Sequence, residues 1–361
     1  MWGSANAKDL GKLDSVQIQC LRRITGAKAH SSSAAIEVIT GVLPIKIRIR
    51  DLCSREYLRL TTSPNCHHLR SLMDTCARKG LNFSPLCYLS IMSKQLCRSL
   101  DGCTVKTNSY ISSTVLFSTS TISKVSVVIR GSRGYHERSV VEKNEDVQEV
   151  NNCIEANKGR NVMVFSDGSV YKGSVGCGAC AAVLIPVGED TVVKESKAVG
   201  IKTDSVTCEF EGILLGLKLS VDYFNNVNFR RQKECVYIFC DCAFVIDTVV
   251  YRHSVCAQPE LFERLLCLEQ ELTRMNIDVY VAWIPGHSGI QHNELADSLA
   301  KKASHDISTG RLCAPNIVSF ADAVKLSMDI AKKSWQTKCL LPAHLHSFRL
   351  LIFHDSLYYR E

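Results

Sequence analysis

The chain has 361 residues, of which 46% are hydrophobic and 22% are charged, a composition typical of a folded protein rather than a disordered one. This length is sufficient for two domains. No apolar run is long enough to span a bilayer, and the first residues, Met1 to Ser4, lack the basic and apolar regions of a signal peptide. We therefore expect an intracellular protein of the cytoplasm or nucleus, not secreted, with no membrane partner.

The formal net charge of +7 is unevenly distributed. Residues 1–140 contain 20 Lys and Arg against 8 Asp and Glu, whereas residues 141–361 contain 23 against 28. A basic front half favours a polyanionic partner, and a solvated helical surface is the alternative.

Helical patterns dominate the first hundred residues. Apolar residues at helical spacing predict a helix over 9–25 that stops at Gly26. Pro44 suits the first turn of a second helix, which ends before Pro64. Two shorter helical stretches are predicted over 67–79 and 86–98. These patterns predict a basic, mainly helical region over residues 1–138.

The next segment is less regular. Residues 101–135 are rich in Ser and Thr and predict irregular structure, with a possible strand at Val125–Ile129. The polar and charged residues from 139 to 160 predict a linker, which we place at 139–157.

From residue 158 to 305 the pattern is that of an α/β domain with a mixed sheet. Strands are predicted at 162–166, 176–187, 191–201, 236–240 and 277–283. Helices are predicted at 206–224, 242–251, 258–275 and 291–304. A helical extension that contains Trp335 is predicted over 306–361.

The 18 cysteines show no spacing typical of a disulfide framework. Cys177 and Cys180 have the spacing of half a zinc site, but they lie in a predicted strand and no second pair follows at a suitable distance. We interpret them as small apolar residues of the core.

Four carboxylates occupy positions that point to metal chemistry. Asp167 is expected to end the first strand of the α/β region and Asp241 the fourth, at the carboxyl edge of adjacent strands. Glu209 is expected in the first turn of the long helix, and Asp297 lies on the last helix. Two hard divalent ions held by such oxygens can activate water and stabilise a leaving oxygen in phosphodiester hydrolysis.

Each carboxylate also has a simpler interpretation. Asp167 with Gly168 could form a turn, and Asp241 could cap the helix that follows it. Glu209 could interact favourably with the dipole at the N-terminus of its helix, and Asp297 could be an ordinary exposed residue. Glu211 is the rival of Glu209 as the helix ligand, because a residue two positions on points about 200° away around the helix.

The longest motif runs from His287 to Asp297, as His287-Ser288-Gly289-Ile290-Gln291-His292-Asn293-Glu294-Leu295-Ala296-Asp297. Together with Asp167-Gly168-Ser169, the Glu209 helix and the strand before Asp241, it makes residues 162–304 resemble the ribonuclease H type 1 family. The resemblance implies a ribonuclease H-like fold, a mixed five-stranded sheet flanked by helices, that cleaves the RNA strand of RNA–DNA hybrids.

The resemblance also implies residue roles. Asp167, Glu209, Asp241 and Asp297 would hold two Mg²⁺ ions, with Mn²⁺ as a possible substitute. His287 would assist proton transfer or product release. Gly168, Ser169 and Asn293 would contact the substrate. The alternatives are a catalytically inactive nucleic-acid-binding remnant and a nuclease acting on DNA, which the His287–Asp297 motif argues against.

Some positions depart from the family pattern. Ser205-Val206-Thr207 stands where polar Asn-Arg residues often precede the metal-binding Glu, and Asp241 is followed by Cys242 rather than Ser. No basic insertion separates the helices near 251 and 258. Affinity for the hybrid is therefore expected to depend on another part of the chain.

The basic front half is the candidate for this role. Residues 2–62 resemble the connecting segment upstream of the ribonuclease H domain in non-LTR retrotransposon reverse transcriptases, through Gln19–Gly26 and Gly41-Val42-Leu43-Pro44. We find no paired-Asp polymerase motif, since Phe320-Ala321-Asp322-Ala323 lacks the second Asp and predicts the start of a helix. The resemblance leads us to expect a 5′-truncated element or a fragmentary gene.

Overall fold

The structure is a computed structural model. It describes residues 7–62, 71–73, 75, 85–105, 120–173, 175–188, 191–226, 234–252 and 259–339. The chain divides into two compact units, Met1–Asp101 with Ala323–Glu361 and Gly102–Asp322. None of the helices in the described ranges is long and apolar enough to cross a membrane.

The first unit is built from helices. They are α1 (Ala7–Thr25), α2 (Ser33–Thr40), α3 (Ile45–Thr62), α4 (Pro85–Met92) and α5 (Lys94–Ser99), together with most of a later helix, Phe320–Cys339. Leu10 packs against Ile49 and Cys53. Val38 and Ile47 pack with Trp335, which lies on the helix predicted in the C-terminal extension.

Two long helices predicted for this unit are confirmed as α1 and α3, and Gly26 follows α1 with a φ of +68° that glycine adopts easily. The stretch 86–98 forms two helices rather than one, and most of 67–79 lies outside the described residues. Helix α2 was not predicted. Only its two ends are marked in the sequence, by Ser32, whose hydroxyl accepts the Ala35 N–H, and by Gly41, which ends the helix.

The second unit contains the α/β domain. Its strands are β1 (Thr104–Val105), β2 (Ser123–Val125), β3 (Val162–Tyr171), β4 (Val175–Ile185), β5 (Val193–Asp204), β6 (Cys235–Cys240), β7 (Asp278–Trp283) and β8 (Ile317–Val318). Its helices are α6 (Val140–Asn157), α7 (Ser205–Asn226), α8 (Ala243–Tyr251), α9 (Pro259–Arg274) and α10 (Gln291–Ser308), and the last helix, α11, is Phe320–Cys339. The mixed α/β prediction is confirmed.

Within the described residues, the main sheet has six strands in the order β2-β7-β6-β3-β4-β5, so the predicted number of five was wrong. Strand β4 is antiparallel to β3 and β5, and the other neighbours are parallel. The sixth strand, β2, pairs with β7 over three residues and forms one edge of the sheet. It begins before the expected Val125–Ile129 run, and its short length in a Ser/Thr-rich region gave little periodic signal.

Both faces of the sheet are covered by helices, because side chains alternate along each strand. Val162 and Val164 of β3 belong to the core shared with α7, α8 and α9. Met163 and Phe165 belong to the core on the opposite face, which includes residues of α6 and α10.

Cys177 and Cys180, whose spacing is that of half a zinc site, lie on opposite faces of β4. Cys180 is fully buried in the core against α7, whereas Cys177 packs near Ile307 of α10. Both are free thiols.

The linker expected at 139–157 is wrong, because this segment is helix α6. Ser139 and Glu142 form a capping box, in which the Glu142 carboxylate accepts the Ser139 N–H at 2.9 Å. Asp146 is fully buried and accepts from Arg138 at 2.5 Å and from Arg130 at 3.1 Å. Only a narrow stripe around Val150 faces the core, which explains the weak helical pattern.

Candidate active site

Asp167 and Asp241 lie next to each other where the parallel pairing of β3 and β6 ends. The last paired residues are Ser166 and Cys240, and the two aspartates follow them directly. Strand β3 does not end at Asp167 as expected, because its antiparallel pairing with β4 continues to Tyr171. The two aspartates therefore lie at the carboxyl end of the β3–β6 pairing, as predicted, but Asp167 itself lies within strand β3.

Glu209 reaches these aspartates from the first half of α7. The helix begins at Ser205, so Glu209 is its fifth residue and lies beyond the expected first turn. The Gly168 N–H donates to the Glu209 carboxylate. A Cβ atom on Gly168 would lie 2.3 Å from the Glu209 nitrogen, so only glycine lets β3 approach the helix this closely.

Glu211, the rival of Glu209, faces away from the aspartates. Its carboxylate accepts from Arg264 and from Lys197, at 3.0 Å for the lysine. Burial raises the pKa of Glu211, but these two cations outweigh burial and leave the pKa below its ordinary value. The Glu211 carboxylate is therefore engaged in structural ion pairs, which leaves Glu209 as the residue of this pair that faces the aspartates.

The motif from His287 to Asp297 forms the loop after β7 and the first turns of α10. Asp297 Oδ2 lies 3.9 Å from His287 Nδ1 and accepts from Lys301 Nζ at 2.7 Å. The His287 side chain is 70% exposed on a residue with a φ of +50°. The loop is braced by Gly289, whose N–H donates to the Glu294 carboxylate at 3.2 Å.

Burial and mutual repulsion raise the pKa values of three of the four carboxyl groups. Burial, and then the charges of Asp241 and Asp297, raise the pKa of Asp167 from 3.8 to about 8. The pKa of Glu209 is raised well above its ordinary value by burial and then by the charges of Asp167 and Asp241. Burial also raises the pKa of Asp241, although the neighbouring His287 opposes the shift. The carboxylates are thus close enough to repel one another.

These donors fit divalent metal ions. Asp167 is 5% exposed, and its Oδ2 has no hydrogen-bond partner among the described residues. Potential ligand atoms form two groups, each within 4.8 Å: Glu209, Cys240 and Asp241, and His287, Glu294 and Asp297. The charge of Asp167 acts on both sides, on Asp241 and on Asp297. Hard cations take such carboxylate oxygens and would relieve their repulsion.

The residues predicted to contact substrate differ in position. Gly168 and Ser169 are partly exposed on β3, and the Ser304 hydroxyl lies 3.3 Å from that of Ser169. Asn293 is 2% exposed and is hydrogen-bonded to Asp241. Its position fits orientation of the Asp241 carboxylate better than contact with a substrate.

Sequence reasoning missed three neighbours of the carboxylates. The Cys240 thiol donates to Glu209 Oε2 at 3.8 Å. Lys301 could have been found from its i+4 spacing to Asp297 on a helix. A Cβ on Gly286 would lie 2.3 Å from Asp241 Oδ2, a close approach between loop and strand end that only the fold reveals.

The fold agrees with comparisons against known proteins. A family model described as RNase H matches residues 159–305, so this part of the chain is an RNase H domain with the RNase H-like fold. A search of the curated proteins gives no significant match.

Solved RNase H structures are similar to the chain at low identity. The N-terminal RNase H domain of a Mycobacterium tuberculosis protein is 19% identical and has a TM-score of 0.34, with 42% of this chain and 99% of that chain covered. RNase H1 from Halobacterium salinarum is 20% identical with a TM-score of 0.31, covering 40% of this chain and 98% of that one.

Proposed function

We propose that the chain is an endonuclease that hydrolyses the RNA strand of RNA–DNA hybrids with two divalent metal ions, Mg²⁺ or Mn²⁺. One observation carries the proposal: Asp167, Glu209, Asp241 and Asp297 come from four separate elements of an RNase H domain and act electrostatically on one another. Carboxylates gathered in this way, with that of Asp167 buried, are costly to keep in a fold without a cation to neutralise them.

The four carboxylates would hold the ions, which supply an activated water and stabilise the leaving 3′-oxygen. Asp241 is held from two sides, by Asn293 and by the Trp283 indole, which donates to the Asp241 carbonyl at 2.9 Å. His287, which is exposed and has its Nδ1 3.9 Å from Asp297 Oδ2, would assist proton transfer or product release.

Substrate choice would depend on the 2′-hydroxyls of RNA, which distinguish it from DNA. Gly168 and Ser169, partly exposed beside Asp167, are the candidates to contact the cleaved strand. The Gly168 N–H is already engaged by Glu209, so Ser169 is the more available of the two.

The basic N-terminal region would add affinity for the hybrid, because residues 1–140 contain 20 Lys and Arg against 8 Asp and Glu. Arg23 and Lys28 are exposed at the end of α1 and just beyond it. Replacing both with Gln in the full chain should weaken hybrid binding and reduce its dependence on salt, because fewer counterions are released. Unchanged affinity at low salt would contradict this role.

The enzyme proposal is tested with the purified full chain, Mg²⁺ and a hybrid labelled on its RNA strand. We expect cleavage of RNA in the hybrid and none of duplex DNA. Asp167→Asn should abolish cleavage, whereas Asp222→Asn, an exposed carboxylate further along α7, should not. A wild-type chain that binds the hybrid without cleaving it would instead favour the inactive nucleic-acid-binding remnant.

A further inference from the structure

The Cys240 thiol lies at the wall of the acidic site. Its Sγ donates to Glu209 Oε2 at 3.8 Å and accepts the backbone N–H of Cys242 at 3.4 Å. The potential ligand atoms of Glu209, Cys240 and Asp241 all lie within 4.8 Å of one another. Cys240 itself is fully buried, but both carboxylates are partly exposed, so an ion can reach the group from their side.

The spacing suits a soft metal ion. Zinc–sulfur and zinc–oxygen bonds of about 2.3 and 2.1 Å place the two ligand atoms about 3.6 Å apart in a tetrahedral site. The observed separation of Cys240 Sγ and Glu209 Oε2 is 3.8 Å. A metal ion would therefore take the place of the thiol proton between these atoms with little rearrangement. The Cys242 N–H that points at the sulfur would stabilise the resulting thiolate.

A second observation points to a ligand at the same place. Asp167, 5% exposed, has a buried Oδ2 without a hydrogen-bond partner among the described residues, and it directly follows Ser166, which is paired with Cys240 across β3 and β6. This oxygen is a further unused donor on the strand that pairs with β6 at Cys240. Hard ions such as Mg²⁺ use only the oxygens, whereas thiophilic ions also use the sulfur.

We propose that Glu209, Cys240 and Asp241 form a thiolate–carboxylate site for a thiophilic divalent ion such as Zn²⁺ or Cd²⁺. Binding replaces the Cys240 S–H bond with a sulfur–metal bond and releases the proton to solvent, with no change of oxidation state. Because the ion shares Glu209 and Asp241 with the Mg²⁺ ligands, it excludes Mg²⁺. The exclusion of Mg²⁺ and the resulting inhibition rest on the proposed function, whereas binding of the thiophilic ion does not.

The test is a titration of the reduced full chain with Cd²⁺ alone, followed by ultraviolet absorbance from thiolate-to-cadmium charge transfer. Among 18 cysteines, other thiols contribute background, so Cys267→Ser, which removes an exposed thiol of α9, is the matched control. We expect Cys240→Ser to remove the tightest phase and Cys267→Ser to retain it. Affinity should fall about tenfold or more, since even residues that only support a metal ligand have effects of this size.

Two further measurements complete the test. Glu209→Gln keeps the thiol but removes a carboxylate, and it should also weaken the tightest phase. This second variant keeps the test valid if Cys240→Ser does not fold. Excess Mg²⁺ should reduce the same phase. A tightest phase that is unchanged in Cys240→Ser would overturn the proposal, whereas a Cys240-dependent phase that Mg²⁺ does not reduce would contradict only the Mg²⁺ site of the proposed function. If cadmium binds as expected but the chain does not cleave hybrids, the metal site stands and only the enzyme proposal fails.

Discussion

Replacing Asp167 with Asn should stabilise the metal-free protein, even though it removes a site residue. The carboxyl is buried, its Oδ2 lacks a partner, and its pKa is raised from 3.8 to about 8. The folded state therefore retains a proton that the unfolded state has already released. Stability from this group is present below pH 3.8 and is lost progressively as the pH rises to about 8.

The magnitude follows from the same shift. Neutral pH lies about three units above the pKa of the unfolded carboxyl but below that of the folded one. Each pH unit in this interval costs about 1.4 kcal/mol, so at neutral pH the group destabilises the fold by about 4 kcal/mol relative to acid pH. Asn is neutral at every pH but keeps a buried polar side chain. We therefore expect about half of this, ~2 kcal/mol, to be recovered, which raises the unfolding midpoint by roughly 4–8 °C.

Thermal unfolding of the full chain in a chelator, at about pH 6 and about pH 8, measures this effect. The gain of Asp167→Asn over wild type should be larger at the higher pH. Adding Mg²⁺ should stabilise the wild type more than the variant, because binding to the folded state alone shifts the equilibrium. The control Asp222→Asn should match wild type throughout. A variant that is less stable than wild type at both pH values, or an equal response to Mg²⁺, would refute the reasoning.

Three further substitutions probe other parts of the second unit. Ser139→Ala removes the cap of α6 and should cost about 1 kcal/mol in denaturant unfolding, with no cost arguing against a stable helix there. Glu211→Gln leaves Lys197 and Arg264 without their carboxylate and should lower stability by about 2 kcal/mol. Its stabilisation by Mg²⁺ should persist, and loss of that response would assign Glu211 to the metal site. Gly286→Ala places a Cβ 2.3 Å from Asp241 Oδ2, so Mg²⁺ affinity measured by calorimetry should fall about tenfold. Wild-type affinity in this variant would show that the loop moves to accept the methyl group without displacing Asp241.

The sequence predicted most of the α/β domain because its strands and helices have strong periodic patterns. Strand β6 and helix α7 both appear within a residue or two of their predicted bounds. The segments that were missed have weak patterns for physical reasons. Helix α6 depends on a capping box and on the buried Asp146 ion pairs rather than on a broad apolar face. Strand β2 is only three residues long and is held by its neighbour β7.

The candidate site was predicted from the order of carboxylates on strands and helices, and the resemblance supplied their roles. Sequence could not distinguish which carboxylates would repel one another, because that depends on burial and on distances set by the fold. It also could not place the Cys240 sulfur beside Glu209, since the two residues are 31 positions apart. The rivalry between Glu209 and Glu211 was open in sequence, and Arg264 on a separate helix distinguishes them.

The most direct test of metal binding by the four carboxylates is anomalous diffraction from crystals of the chain soaked in Mn²⁺. We predict two manganese peaks among the carboxylates of Asp167, Glu209, Asp241 and Asp297, and their loss in Asp167→Asn. Manganese found only on exposed acidic residues elsewhere, with these four side chains free of metal, would contradict the proposed nuclease site.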